Sequence, residues 1–404
     1  MRNLVPLCLL ALITAPIPAP FSLIPAAHAQ NQTWITQFGT SSSDYASALA
    51  PDGEGGTFVG GSTKGSLGGP FAGGLGIGDA WLARYDDRGN QLWIRQFGTI
   101  RDEIVRALAP DGVGGVMVTG YTRGSLGGPN PGCVPAGCSG DAFLARYDGA
   151  GNQLWIRQFG DSADDAGSAL APDGEGGVFV AGGTDNSLAG PNAGCMPQYC
   201  SSDVFLARYD ANGNRLWIRQ FGTSAEDSAF ALAPDGAGGV MITGWTHGSL
   251  GGPNAGLYTN DVFLARYDSA GNQLWIRQFG TSTSDDVRAL APDGSGGVMI
   301  AGGTNGSLGG PNAGRVPGHQ TFYYDVFLAR YDADGRQLWL HQFGTSQGEI
   351  ATALAPDGEG GVMVAGTTNG ELATLNPFGQ GDVFLARYSE SGERIWIRQF
   401  GTNN

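Results

Sequence analysis

The sequence predicts an all-β fold in which one four-stranded unit is repeated six times, and three observations carry that prediction. The heptad Leu-Trp-Ile-Arg-Gln-Phe-Gly is written in full at 92–98, 154–160, 216–222 and 274–280, with near-copies at 338–344, 395–401 and 33–39. The tryptophans of these copies (Trp34, Trp93, Trp155, Trp217, Trp275, Trp339 and Trp396) stand 59, 62, 62, 58, 64 and 57 residues apart. A period of that size marks one supersecondary unit used repeatedly. Glycine supplies 70 of 404 residues and falls at fixed offsets beside β-branched and aromatic residues, the pattern of turns between strands. No long 3.6-residue apolar stripe exists, and glycine interrupts every stretch in which a helix could form.

The chain opens with a segment outside this pattern. Arg2 precedes the apolar run Leu4–Ile13, and Ala27-His28-Ala29 is a small-x-small site before Gln30. Residues 1–29 therefore read as a secretory signal peptide cleaved after Ala29, with Pro16, Pro18 and Pro20 arguing against a retained membrane anchor. No later segment reaches the ~18 consecutive apolar residues of a membrane span. The expected locations are secreted, periplasmic or cell-surface.

The unit at 161–222 shows how the pattern folds. Ser168–Asp173 is a short apolar segment ending at the Gly174-Glu-Gly-Gly177 turn, and Val178–Ala181 is a second strand. A long Gly/Pro/Asn loop at 185–202 leads to a third strand, Asp203–Tyr209. The turn Asp210–Asn214 then brings in the fourth strand, Arg215–Phe221, with Trp217. Four short strands joined as a meander and repeated at this period describe a β-propeller blade. Six blades are expected at about 41–98, 99–160, 161–222, 223–280, 281–344 and 345–401. They form one domain over 30–404.

The Ala-Leu-Ala strand is placed innermost, because Ala48/Ala50, Ala107/Ala109 and their equivalents are small enough for the crowded axis. The tryptophan strand is then outermost, with its rings filling space where blades diverge. Thr33–Gly39 is a seventh copy in a six-blade scheme, and it is expected to return to blade six as an extra closing strand.

These residues resemble a known family. The pattern Trp-x-Arg-Gln-Phe-Gly, an acid, Pro-Asp-Gly-x-Gly-Gly, Gly-x-Thr and Asp-Val-Phe-Leu-Ala-Arg-Tyr-Asp-x-x-Gly-Asn is similar to the bacterial SBBP repeat, named for a seven-bladed β-propeller. The likeness extends over 33–401 but differs in its count of six units. It implies a propeller fold and bacterial export, and hardly any chemistry.

Composition narrows the partners. A net charge of −15 with no basic run disfavours nucleic acid and anionic lipid. Cys133 and Cys138, and again Cys195 and Cys200, are C-x4-C pairs at matching places in successive units. An oxidising compartment favours two local disulfides, 133–138 and 195–200, over a shared zinc site. The mature histidines His247, His319 and His341 have no metal spacing, and no nucleophile elbow or P-loop is present.

In a four-strand meander the long second-to-third-strand loops and the inter-blade loops share one face, where binding is expected. Two sets of residues stand out there. One acid precedes each inner strand: Asp44, Glu103, Asp165, Asp227, Asp285 and Glu349. These could ring a cation such as Ca²⁺, the only cofactor the pattern suggests, or each could accept backbone N–H groups from its own loop. After each second strand the frame varies, and Tyr121 with Arg123, and Trp245 with His247, could stack on a sugar or a peptide. The leading expectation is a monomeric, exported, non-enzymatic propeller that binds protein or glycan. The alternatives are a hydrolase or lyase with a carboxylate site in the central channel, and a purely structural cell-surface repeat protein.

Overall fold

A computed structural model describes residues 36–73, 78–134, 137–194, 201–256, 259–314, 323–373 and 381–401. The leader and Trp34 lie outside the described residues. Among the described residues no helix is long and apolar enough to cross a membrane.

The structure is a six-bladed β-propeller of four-stranded antiparallel sheets, each ordered inner–second–third–outer along the chain. The inner strands are Asp44–Pro51, Glu103–Pro110, Asp165–Pro172, Asp227–Pro234, Asp285–Pro292 and Glu349–Pro356. The second strands are Thr57–Thr63, Val116–Thr122, Val178–Thr184, Val240–Thr246, Val298–Thr304 and Val362–Thr368. The third strands are Asp79–Tyr85, Asp141–Tyr147, Asp203–Tyr209, Asp261–Tyr267, Asp325–Tyr331 and Asp382–Tyr388. The outer strands are Gln91–Phe97, Gln153–Phe159, Arg215–Phe221, Gln273–Phe279, Gln337–Phe343 and Arg394–Phe400. Inner strands of successive blades lie against one another, which places the Ala-Leu-Ala strand innermost as expected.

Of the two disulfides expected from sequence, the structure describes one. Cys133 and Cys138 are bonded and close a two-stranded excursion from blade two. Cys195 and Cys200 both lie outside the described residues, so the second bridge is not among the described bonds.

The repeated heptad welds each of blades one to five to the next. Trp93 Nε1 donates to Gly149 O of blade two at 2.9 Å, and Trp155 repeats this on Ala211 O at 3.0 Å. The ring also covers Gly151, where an added Cβ would lie 2.8 Å from Trp93, so this turn (φ +79°) requires glycine on two counts. Arg95 stacks on Trp93 and donates to Gly151 O at 3.1 Å. Gln96 accepts from the Leu67 and Gly68 N–H groups and donates to Gly65 O and Asp79. Phe97 packs on Phe143 and Tyr147 of blade two.

The arginine inside each third strand is structural too. In blade three Arg208 Nε donates to Asp173 at 2.9 Å, and Nη1 donates to Ser269 O of the following blade at 3.1 Å. Asp173 also caps its own turn, accepting from the Glu175 and Gly177 N–H groups.

Five apolar cores join successive blades, and a sixth cluster covers the outward face of blade one. The closing segment departs from the sequence expectation. Its described residues, 36–39, pair with no strand, and they dock on blade one, not blade six. Phe38 meets Trp81 edge-on at 5.4 Å and lies 5.7 Å from Tyr85. That is the contact Phe97 makes on Phe143 and Tyr147, so the segment stands in for the outer strand of a blade preceding blade one. On the far side, Phe400 is 52% exposed, and among the described residues no apolar core joins blade six to blade one.

Candidate functional site

Five of the six acids that open the inner strands are buried, Asp44 being half-buried, and each is engaged by its own loop. Glu103 accepts from the Thr99 N–H, the Thr99 hydroxyl and the Thr122 hydroxyl, each at 2.7 Å. Asp227 and Asp285 each accept from the N–H and hydroxyl of the threonine four residues before them, and Asp44 and Glu349 follow the same scheme. Asp165 accepts from the Asp161 N–H at 2.8 Å. This is the local-loop arrangement, the second of the two roles their spacing allows.

At five of the six positions a second carboxylate lies alongside, contributed by the opening residue of the preceding blade's third strand. A methyl built on Gly160 would meet Asp141 Oδ1 at 2.6 Å and Asp165 Oδ2 at 2.8 Å. Asp203 and Asp227 flank Gly222 in the same way, and Asp261 and Asp285 flank Gly280. Among the described residues no cationic side chain joins these pairs, and Asp141, Asp203, Asp261 and Asp325 each keep a buried Oδ1 with no donor. Burial lifts Asp165 to about 7, with the Asp161 and Asp141 charges adding to it. Burial likewise lifts Asp141, Asp227 and Asp285 to about 6 and raises Glu103, Asp203 and Glu349. Among the described residues no group of three or more metal-capable side chains forms.

The second residue set is held by backbone and by side-chain contacts. The N–H groups of Arg123 and His247 donate at 2.9 Å to Asp102 O and Glu226 O, fixing each position beside its inner strand. Tyr121 and Trp245 are half-buried, and Arg123 is exposed. Trp245 stacks on His247 with centroids 4.8 Å apart. His247 Nε2 bonds Asn260 Oδ1, and Asn260 Nδ2 donates to Asp286 Oδ1 at 2.5 Å. Tyr324 OH donates to Asp286 Oδ2 at 2.9 Å, and burial together with Asp286 pushes its phenol well above the ordinary range. This polar chain crosses from blade four to blade five.

The structure adds residues that sequence reasoning missed. Every inner strand carries a β-bulge at the same place, and the extra residue is Ser47, Arg106, Ser168, Phe230, Arg288 or Thr352. A bulge re-aims a side chain out of the ladder. Here Ser47, Arg106, Arg288 and Thr352 are exposed at the inner edge, and Ser168 and Phe230 are half-buried. Residues of neighbouring inner strands touch: Ser47 bonds Val105 O, Arg106 Nη1 lies 3.5 Å from Ser168 Oγ, and the Arg288 guanidinium sits 5.1 Å over Phe230. Arg106 also sits 5.0 Å over Tyr121, which joins the bulge set to the expected set. Variation inside a constant frame is the signal that could have found them, since these positions change while the alanines around them persist.

Comparison with known proteins agrees on the class. The SBBP beta-propeller repeat matches residues 33–68, which span the N-terminal heptad copy and the first two strands of blade one. The regulatory protein FlaEY of Caulobacter vibrioides is 32% identical over 167 residues, covering 38% of this chain and 17% of that protein. An uncharacterized WD repeat-containing protein, L264, of Acanthamoeba polyphaga mimivirus is 19% identical over 417 residues, covering 80% of this chain and 29% of its own length. The chain thus spans less than a third of either relative. Among solved structures, the Neurospora crassa Pan2 WD40 domain has a TM-score of 0.45 at 12% identity, covering 86% of this chain and 84% of that one. The β-propeller domain of the Pyrococcus furiosus trilobed protease has a TM-score of 0.43 at 9% identity, covering 91% and 98%.

Proposed function

We infer that this propeller is an exported, non-enzymatic binding module whose ligand, a protein or a glycan, meets the inner-edge bulges and the ends of the second strands. One observation carries the reading. The frame repeats nearly unchanged, yet Arg106, Tyr121, Arg123, Phe230, Trp245 and Arg288 vary at positions the fold leaves accessible. Aromatic and arginine side chains on a rigid scaffold are the residues that dominate recognition surfaces. The reading is favoured over a carboxylate active site because the repeated acids are already engaged by loop donors. Export rests on the leader at 1–29 and the Cys133–Cys138 disulfide.

Glycan and peptide arrays probed with residues 30–404 test it. Binding is expected, and Trp245→Ala or Tyr121→Ala is expected to weaken it at least tenfold while the melting temperature holds. Binding indifferent to both substitutions would refute the assigned surface.

A further inference from the structure

Charge on this surface is distributed against the trend of the chain, and the consequence rests on the binding reading above. The protein carries −15, and most of its arginines belong to the repeated frame, paired to turn aspartates or to carbonyls of the next blade. Arg106 and Arg123 do not. Among the described residues neither makes an ion pair, and both charges reach the Tyr121 hydroxyl. The nearby acids Asp102 and Asp164 each accept a loop N–H, from Gly78 at 3.0 Å and from Gly140 at 2.6 Å, and among the described residues neither forms an ion pair with these arginines. Arg106 is an exposed residue pre-set by its stack on Tyr121, with Nη1 3.5 Å from Ser168 Oγ.

A second platform stands on blades four and five. Arg288 is stacked on Phe230 and 41% exposed, and its one ion pair among the described residues, to Asp286, is long at 3.7 Å. Asp286 is already bonded by Asn260 and Tyr324. Trp245 lies on the same blade as Phe230, its strand position paired with Ser228 two residues before the bulge.

We propose that these two platforms bind an acidic polysaccharide, with Arg106 and Arg123 on one and Arg288 on the other engaging carboxylates or sulfates of separate sugars along the chain while Trp245 packs on a pyranose face. The chemistry decides the class. Stacked, exposed guanidiniums lacking a close acid partner ask for planar anions, and a half-buried indole suits the apolar face of a sugar ring. Two separate platforms fit an extended polymer better than a small anion.

The test is equilibrium binding of residues 30–404 to polygalacturonate, neutral dextran and poly-glutamate across a salt series. Polygalacturonate is expected to bind, with affinity falling steeply as salt rises. Replacing Arg106 by Ser and Arg123 by Asp, the residues blade three carries at these places, should lower affinity at least tenfold without moving the melting temperature. Trp245→Ala should lower it at every salt concentration. Equal affinity for dextran, or no effect of the arginine changes, would overturn the proposal while leaving a binding module in place. Tighter binding of poly-glutamate would reassign the surface to an acidic peptide. Failure to bind anything on the arrays would remove the underlying reading as well.

Discussion

Replacing Asp141 with asparagine probes the paired carboxylates at the blade junctions. Asp141 is fully buried, its Oδ2 takes a 2.8 Å bond from Gln158, and its Oδ1 faces Asp165 across Gly160 without a donor. Two adjacent buried carboxylates cannot both ionise without large cost, so one proton is expected to serve the pair. An asparagine in place of Asp141 supplies that hydrogen permanently through its amide. Burial carries Asp141 from 3.8 to about 6, which corresponds to about 3 kcal/mol once the pH exceeds the folded value. The sign follows from linkage. A carboxyl raised in the folded state binds protons more tightly folded than unfolded, so its stabilising share is complete below about pH 4 and lost as pH rises through about 6. For Asp165 the loss extends to about 7. Urea unfolding of the wild type between pH 5 and 8 should therefore show stability falling with pH. Asp141→Asn should gain about 3 kcal/mol at pH 8, with the gain shrinking toward zero near pH 4. Millimolar Ca²⁺ should leave both midpoints unchanged. Loss of stability in Asp141→Asn at every pH, or a wild type stabilised at pH 8 by Ca²⁺ through Asp141, would refute the shared-proton account; the second result would assign the pair to a cation.

Other substitutions test the frame. Gly222→Ala would push a methyl to 2.2 Å from Asp203 Oδ1, and is expected to lower stability by at least about 2 kcal/mol by denaturant titration. Asp173→Ala removes the buried partner of Arg208, leaving it only the exposed Glu175 as an ion partner at 2.8 Å, and uncaps a turn, so a loss of about 3 kcal/mol is expected. Trp155→Phe removes the bond to Ala211 O together with part of the ring that covers Gly213 and carries the Arg157 stack, a loss of at least about 1 kcal/mol, with ligand binding untouched. Phe38→Ala uncovers Trp81 and Tyr85 and should lower the melting temperature; no change would remove any role for the N-terminal copy.

The legible parts of this protein are those the period repeats. The heptad, the Asp-Gly turns and the alanines of the inner strand announce four strands, their order and the innermost position, because identical units must solve identical packing problems. The tryptophans read as packing residues and do pack, although their Nε1 bonds to the next blade's turn depend on blade-to-blade geometry that local sequence does not contain. Two features are hidden for the same reason. The bulge at Arg106, Phe230 and Arg288 comes from register between paired strands. The approach of Asp141 to Asp165 comes from a third strand meeting the next blade's inner strand across Gly160. Thr33–Gly39 is recognisable as an extra copy, but its docking on blade one follows from the face that lacks a preceding blade, which spacing alone does not indicate.

The central claim is that the constant frame builds the propeller and the varying inner-edge residues recognise the ligand. A single chimera separates the two. Tyr121, Arg123, Trp245 and His247 are replaced by Gly, Asp, Gly and Asp, the residues blade three carries at Gly183 and Asp185. Its affinity for the array-selected ligand is then compared with that of the wild type, alongside its unfolding midpoint. The account predicts cooperative unfolding, with a midpoint lowered only by the lost Trp245–His247 stack and His247–Asn260 bond, and binding reduced at least a hundredfold; a chimera that folds and binds as tightly as the wild type would contradict it.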